Sequence, residues 1–339
     1  MSLRGVARSA TTKQSPQFIK GCVVVLTQLF IILAASCTPA PTKEPVPTLT
    51  ATAAIPTFSP TIIPLPTSTN TTIPPTLTST STPIPCDPHT ADFCITDGHF
   101  ILQRPIHPPA NDSVDRTYPF GSTANGARDP HRGVEFINGL GIPVYAAGDG
   151  VVLFAGPDDV AIYSPWTIFY GNLVVIQHEN DLFTLYAHLS KIDVRTGDEI
   201  KAGEQIGEVG RSGVAIGSHL HFEVRRGDAA DYFSMVNPEL WLIPSKPDFG
   251  ALSISIQDTS SAFQSASLTL QQYSADGEVL GLNYLETYYP PLALGEENLG
   301  IGDLSAGRYR ITFIHNGVFY ERWVEVQSGK LTEVVIIVK

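Results

Sequence analysis

His219-Leu220-His221-Phe222-Glu223-Val224-Arg225 alternates polar and apolar residues at every step, which is the period of a half-buried β-strand. Leu220, Phe222 and Val224 are expected to face a core. His219, His221, Glu223 and Arg225 are expected to face the other way. Two imidazoles on one strand face stand close enough to share a small reaction centre. Imidazole is the commonest metal ligand and the usual general base near neutral pH. Alone, a His-x-His pair reads just as well as polar strand surface, so its meaning depends on its company.

That company is two further segments, Asp129-Pro130-His131-Arg132-Gly133-Val134-Glu135 and Leu185-Tyr186-Ala187-His188-Leu189-Ser190. Three His-bearing segments at the edges of strand-like patterns are what a catalytic zinc needs. Three protein ligands hold the metal, one position stays open for water, and further groups move protons. The spacing from His131 to Glu135 demands a bend, because four extended residues span about 13 Å. Gly133 is expected to supply the permissive backbone for it.

Outward from these segments the pattern is β throughout. Pro143–Ala147, Gly150–Ala155, Asn172–His178, Leu182–His188 and Glu204–Val209 read as strands, and Glu179-Asn180-Asp181 as a hairpin turn. No long amphipathic helix is evident. This domain is expected to end near Trp241-Leu242-Ile243-Pro244, with a linker at about 245–250. Beyond it, Leu252–Ile256, Ser267–Tyr273, Tyr309–His315, Phe319–Val326 and Leu331–Val338 read as strands, with Asp276-Gly277 and Asn316-Gly317 as hairpin turns. A separate small β-sandwich is expected there. It has its own turns and no site-like cluster, so it is expected to be dispensable for any chemistry upstream.

The remaining histidines read as structural. His178 and His315 sit at turns and are expected to be exposed, and His89, His99 and His107 fall in an irregular lead-in without ligand spacing. Arg128 reads either as a carboxylate-steering group or as a salt-bridge partner.

The chain starts with Arg4, Arg8, Lys13 and Lys20 and no acid, followed by an apolar run over Gly21–Ala35. The run is short for a membrane span and reads as the core of a signal peptide. Leu33-Ala34-Ala35-Ser36-Cys37 resembles the lipobox of bacterial lipoproteins, with Leu33 one place further from the cysteine than usual. This implies cleavage after residue 36 and lipidation of Cys37; an uncleaved anchor is the alternative. Residues 38–85 are nearly all Pro, Thr, Ser, Ala and Ile, with Lys43 and Glu44 the only charges. Such a composition cannot build a core and reads as a disordered, extended stalk. Either reading of the N-terminus places the rest outside the cytoplasm. There the pair Cys86 and Cys94 reads as a local disulfide pinning the lead-in, with zinc binding beside His89 or His99 as a lesser alternative. The net charge of −12 over 339 residues argues against nucleic acid and against a polybasic membrane patch.

Residues 118–227, about a third of the chain, resemble the lysostaphin-type zinc metallopeptidases that cut peptidoglycan. The similarity runs through His131–Phe136, Gly141–Val152, Tyr170–Ile176, Tyr186–Ser190, Gly197–Gly210 and Gly217–Arg225. It implies a barrel-sandwich-hybrid-like domain and one zinc ion held by His131, Glu135 and His221. It also implies a catalytic pair, His188 and His219. The family's acidic ligand is Asp, so Glu135 is a departure that adds a methylene to the site. In the C-terminal part, Leu304-Ser305-Ala306-Gly307-Arg308-Tyr309-Arg310-Ile311 resembles the strand start of prealbumin-like domains.

The reading is an all-β chain in four parts: 1–36 lipoprotein signal peptide, 37–85 disordered linker, 86–248 peptidase domain with lead-in, and 249–339 β-sandwich. Its expected function is zinc-dependent cleavage of peptide bonds in bacterial peptidoglycan, on the cell exterior, with the lipid on Cys37 as anchor. The competing function is a non-catalytic relative that binds wall or activates another hydrolase, favoured only by Glu135. A biotinyl- or lipoyl-type carrier, suggested by Gly197–Gly210, lacks a modifiable lysine at a hairpin tip. The sequence does not fix the oligomeric state.

Overall fold

A computed structural model describes residues 85–124, 126–288 and 297–339. The expected signal peptide, Cys37 and the linker up to residue 84 lie outside the described residues. Among those described, the chain is all-β, with a single 3-10 turn at Pro238–Leu240. No described helix is long and apolar enough to cross a membrane.

The first half contributes β1 (Cys94–Thr96), β2 (Val134–Ile137), β3 (Pro143–Tyr145), β4 (Gly150–Pro157), β5 (Asn172–Gln177), β6 (Leu182–Ala187), β7 (Lys191–Ile192), β8 (Glu199–Ile200), β9 (Gln205–Glu208), β10 (His219–Arg226) and β11 (Met235–Val236). A seven-stranded sheet runs β11-β10-β6-β5-β4-β8, with β2 also paired to β10. A three-stranded sheet, β3-β9-β7, packs against it. Val144, Ile206 and Val209 from the small sheet side meet Val174, Ile176, Leu220, Phe222 and Val224 from the large one in a common core.

The large sheet is covered on its other face too. The segment between β4 and β5 and the segment after β10 lay Tyr163, Tyr170, Ala229 and Tyr232 over Leu173, Val175, Phe183 and Leu185. This corrects the half-exposed reading of the decisive strand: every residue from His219 to Arg225 is buried. Alternation predicted the two faces correctly, but a polar face does not have to be a wet one when its groups find partners.

The second half contributes β12 (Phe249–Gln257), β13 (Ser267–Tyr273), β14 (Val279–Glu286), β15 (Leu299–Ser305), β16 (Gly307–His315), β17 (Val318–Val326) and β18 (Leu331–Ile337). Two four-stranded sheets, β1-β18-β12-β15 and β14-β13-β16-β17, enclose an apolar core that includes Ile254, Ile256, Leu270, Ile311, Phe313 and Ile336. Sequence pattern missed β14 and β15. β14 exposes Leu280, Leu282 and Tyr284, and β15 carries glycines at 300 and 302, a residue type depleted in strands.

One strand crosses the expected boundary. β1 pairs antiparallel with β18, Cys94 opposite Glu333, so the lead-in completes the C-terminal sheet. Cys86 and Cys94 are disulfide-bonded, and Asp92 and Asp97 form ion pairs with Arg322 and Lys330. The disulfide therefore fastens this edge strand of the sandwich rather than the core of the first half.

Candidate metal centre

Strand pairing assembles the site. β2 runs antiparallel to β10 with Glu135 directly opposite His221. On the other side of β10, His221 faces Ala187, the last residue of β6, so His188 follows at the strand end. His131 lies just before β2. A Cβ at Gly133 would sit 2.4 Å from the Phe222 carbonyl oxygen and 2.9 Å from His221 Cε1. Gly133 is not among the residues with positive φ. The glycine is thus required for close approach of β2 to β10, which corrects the expectation that it frees the backbone to bend.

His131 Nε2 lies 3.0 Å from Glu135 Oε1 and 3.3 Å from His221 Nδ1, and His221 Nδ1 lies 3.1 Å from the same oxygen. Zinc bonds of about 2.0–2.1 Å in a tetrahedron place ligand atoms about 3.3–3.4 Å apart. Two nitrogens and one carboxylate oxygen at this spacing form a donor set suited to zinc, with no fourth protein ligand in the group among the described residues. Glu135 Oε2 is buried without a hydrogen-bond partner; its neighbour is His219 Nε2 at 3.0 Å. Asp129, the nearest acidic rival to Glu135, is exposed and outside the cluster.

Each imidazole is oriented from behind. His131 Nδ1–H donates to the Tyr118 carbonyl at 2.8 Å, and the Tyr118 ring stacks on it at 4.1 Å. His221 Nε2–H donates to Glu223 Oε1 at 3.0 Å. These bonds fix the tautomers that turn Nε2 of His131 and Nδ1 of His221 inward, as groups behind metal ligands commonly do. Glu223 is in turn held by Arg225 Nε at 2.8 Å and Tyr170 OH at 2.6 Å. Arg225 also donates to the carbonyls of Ala229 and Tyr163 and to the Tyr170 hydroxyl. The network explains why a charged strand face tolerates full burial.

The electrostatics follow from burial and pairing. Burial alone would raise the Glu135 carboxyl, but His221, His131 and His219 outweigh it and hold it well below the usual range. Burial would lower His221, yet the Glu135 and Glu223 carboxylates raise it to about 10. Burial likewise opposes ionised Glu223, but Arg225 and His221 bring it down to about 2.

His188 and His219 flank the cluster, with ring centroids 4.9 Å apart. His188 donates from Nδ1 to the Ser212 carbonyl at 2.9 Å, leaving Nε2 as an acceptor. Its backbone is left-handed, φ 62°, a conformation costing a non-glycine residue about 1–2 kcal/mol. Its carbonyl packs closely on Gly210, where a Cβ would lie 2.4 Å from the oxygen. Burial, with lesser contributions from His221 and His219, lowers His188 to about 3.

The site opens into a cleft of about 1040 Å³. Tyr118, Arg128 and Ile137 belong to its lining, as do Trp166, Val214 and Ile216. Arg128 lies over the Tyr118 ring at 5.1 Å, and no ion pair involves it among those described. The other histidines stay away from the cluster. His178 is half-buried rather than exposed, bonded to the Asp149 carbonyl and Thr184 Oγ1. His99 stacks on Trp241 and His107 on Tyr145. Sequence reasoning missed Tyr118, Tyr170, Glu223 and Arg225 as supports. The signal for the last two was the unbroken polar face of β10.

Residues 129–232 match the model of Peptidase family M23. Peptidoglycan DD-endopeptidase ShyA of Vibrio cholerae is 39% identical over 118 residues, 34% of this chain and 25% of that protein. The chain thus spans only about a quarter of the length of that curated relative. Among solved structures, the catalytic domain of the prophage-encoded M23 protein EnpA from Enterococcus faecalis is 29% identical, covering 39% of this chain and 92% of that one, at a TM-score of 0.33. A zinc-containing peptidase from Vibrio cholerae is 30% identical over 39% of this chain and 40% of its own, at a TM-score of 0.31. The stretch that carries His131, Glu135, His188, His219 and His221 is thus the part of the chain that matches Peptidase family M23.

Proposed function

We propose that the protein is a zinc-dependent endopeptidase that hydrolyses peptide bonds of bacterial peptidoglycan. The observation that carries this reading is the convergence of His131 Nε2, Glu135 Oε1 and His221 Nδ1 beneath an open cleft. What zinc supplies there is Lewis acidity, toward water and toward the carbonyl to be cut. His188 and His219, with ring centroids 4.9 Å apart beside the three ligands, are the pair that takes the proton of the attacking water and stabilises the oxyanion or protonates the leaving amine. The family match and the peptidoglycan DD-endopeptidase activity named for ShyA support the substrate class.

The test is digestion of purified peptidoglycan by the full chain, with and without a chelator, alongside metal analysis. The expected outcome is one zinc per chain and peptide release that stops on chelation and returns with zinc. His188→Ala and His219→Ala should retain the metal and lose the reaction. A second reading, a non-catalytic wall-binding relative, is favoured by one contact: the longer Glu135 side chain reaches His219 at 3.0 Å as well as the two histidine ligands. Zinc binding by Glu135→Asp but not by the natural protein would decide for that reading.

The same proposal places the protein on the cell exterior with the lipid on Cys37 as its membrane anchor. Cys37→Ala should move it from the membrane fraction to the soluble fraction or stall processing. Unchanged fractionation and unchanged mass would rule the anchor out.

A further inference from the structure

The segment that orients His131 is itself backed by a residue from the C-terminal half. Tyr118–Ser122 clasps His131 from several sides. Gly121 N donates to the His131 carbonyl and His131 N to the Ser122 carbonyl, both at 2.8 Å. The Tyr118 carbonyl receives the ring proton. Gly121 has φ +76°, and a Cβ there would lie 2.5 Å from Tyr288 Cδ1. The Tyr288 ring thus packs directly on the backbone of the clasp. It also meets Phe120 edge-on at 5.0 Å.

Tyr288 follows β14 and is bonded to the start of β15, its N–H donating to the Asn298 carbonyl. Yet its ring is 3% exposed and buried in the core of the peptidase half. Its hydroxyl accepts from Asn237 Nδ2 at 2.8 Å, and the same amide donates to Gly300 of β15. Glu239, next along the 3-10 turn, accepts from Gly302 N at 2.8 Å and pairs with Arg116. The glycines of β15 permit this approach, since a Cβ at Gly302 would stand 2.8 Å from the Glu239 carbonyl oxygen.

The geometry points to Tyr288 as a positioning residue for His131, so that the C-terminal sandwich is part of the metal site's support rather than an independent appendage. The ring fills the space behind Gly121. Removing it frees the clasp to drift, and the two backbone bonds that hold His131 then open more often. The metal consequence rests on the zinc-peptidase reading above; the clasp itself does not.

The test compares full-length wild type with Tyr288→Ala, Tyr288→Leu, Tyr288→Phe and, as a control inside the sandwich core, Ile311→Val. One measurement is hydrogen exchange at the Gly121 and His131 amides with no metal added. The other is zinc affinity against a competing chelator. Tyr288→Ala should speed both amides at least tenfold and weaken zinc about tenfold, the lower end of what supports behind metal ligands contribute. Tyr288→Leu should shift both the same way by less, and covers the case in which the alanine variant does not fold. Tyr288→Phe, which keeps the ring, should match wild type closely in both. Unchanged exchange in Tyr288→Leu and Tyr288→Ala overturns the proposal. So does an equal effect in Ile311→Val, which would mean general loosening. If wild type binds no zinc, the functional reading fails while the exchange data still decide the clasp.

Discussion

The site residues were legible because each carries its chemistry in its own side chain. Three imidazole segments and one nearby acid point to a metal site before any fold is known, and the resemblance to lysostaphin-type peptidases implies which of them are its ligands. What holds those side chains was hidden, because it depends on atoms brought from elsewhere. His221 turns Nδ1 inward only because Glu223 takes the proton on Nε2, and Glu223 stays charged only because Arg225 and Tyr170 surround it. Glu223→Gln should therefore act at two points. It leaves Arg225 buried without its counter-charge, which should cost about 3–5 kcal/mol of stability. It also replaces a charged acceptor behind a ligand, which should weaken zinc about 10–100-fold. Thermal unfolding and chelator competition measure the two separately. Loss of stability with unaltered metal affinity would show that the network serves the fold alone.

At the scale of the strand, period two located β3, β4, β5, β6, β9 and β10 within about two residues, since they alternate or are apolar, and missed β2 and the two-residue strands β7, β8 and β11. Pairing was invisible. Nothing local says that β2 lies against β10, because that contact joins segments far apart in sequence. Gly133 shows the difference. Read locally it is a flexible link; in the sheet it is the position where two backbones touch. Gly133→Ala should force the Cβ against the Phe222 carbonyl and spread β2 from β10. Overpacking of this kind costs about 1–3 kcal/mol, and here it should also separate Glu135 from His221. A lower melting temperature together with weaker zinc binding is the expected result. An alanine variant with wild-type melting would mean that β2 shifts freely.

At the scale of the whole molecule, turn signals located two β-rich halves but not the traffic between them. β1 comes from before the peptidase core and ends the C-terminal sheet. Tyr288 goes the other way, and Arg104 of the lead-in pairs with Asp303 of β15. None of these contacts leaves a periodic trace, because each depends on a single residue or a three-residue strand. Replacing Cys86 and Cys94 together by Ser should loosen β1 at its anchored end. Closing so short a loop stabilises by about 2–3 kcal/mol in the chain-entropy description. The loss should appear as faster hydrogen exchange in β18 before it appears in β5 or β6. Uniform change across both halves would contradict a local role for the bond.

The pairing of β1 with β18 also sets the span of chain that folding must close. β1 precedes every strand of the large sheet and β18 follows all of them. The large sheet can close without either, since β1 has no partner in it. The backbone donors and acceptors of β1 stay open until β18 lies beside them, and ring closure over almost the entire described length is a slow step. The edge of the sandwich that the disulfide fastens is thus the last part of the described fold to be set in place.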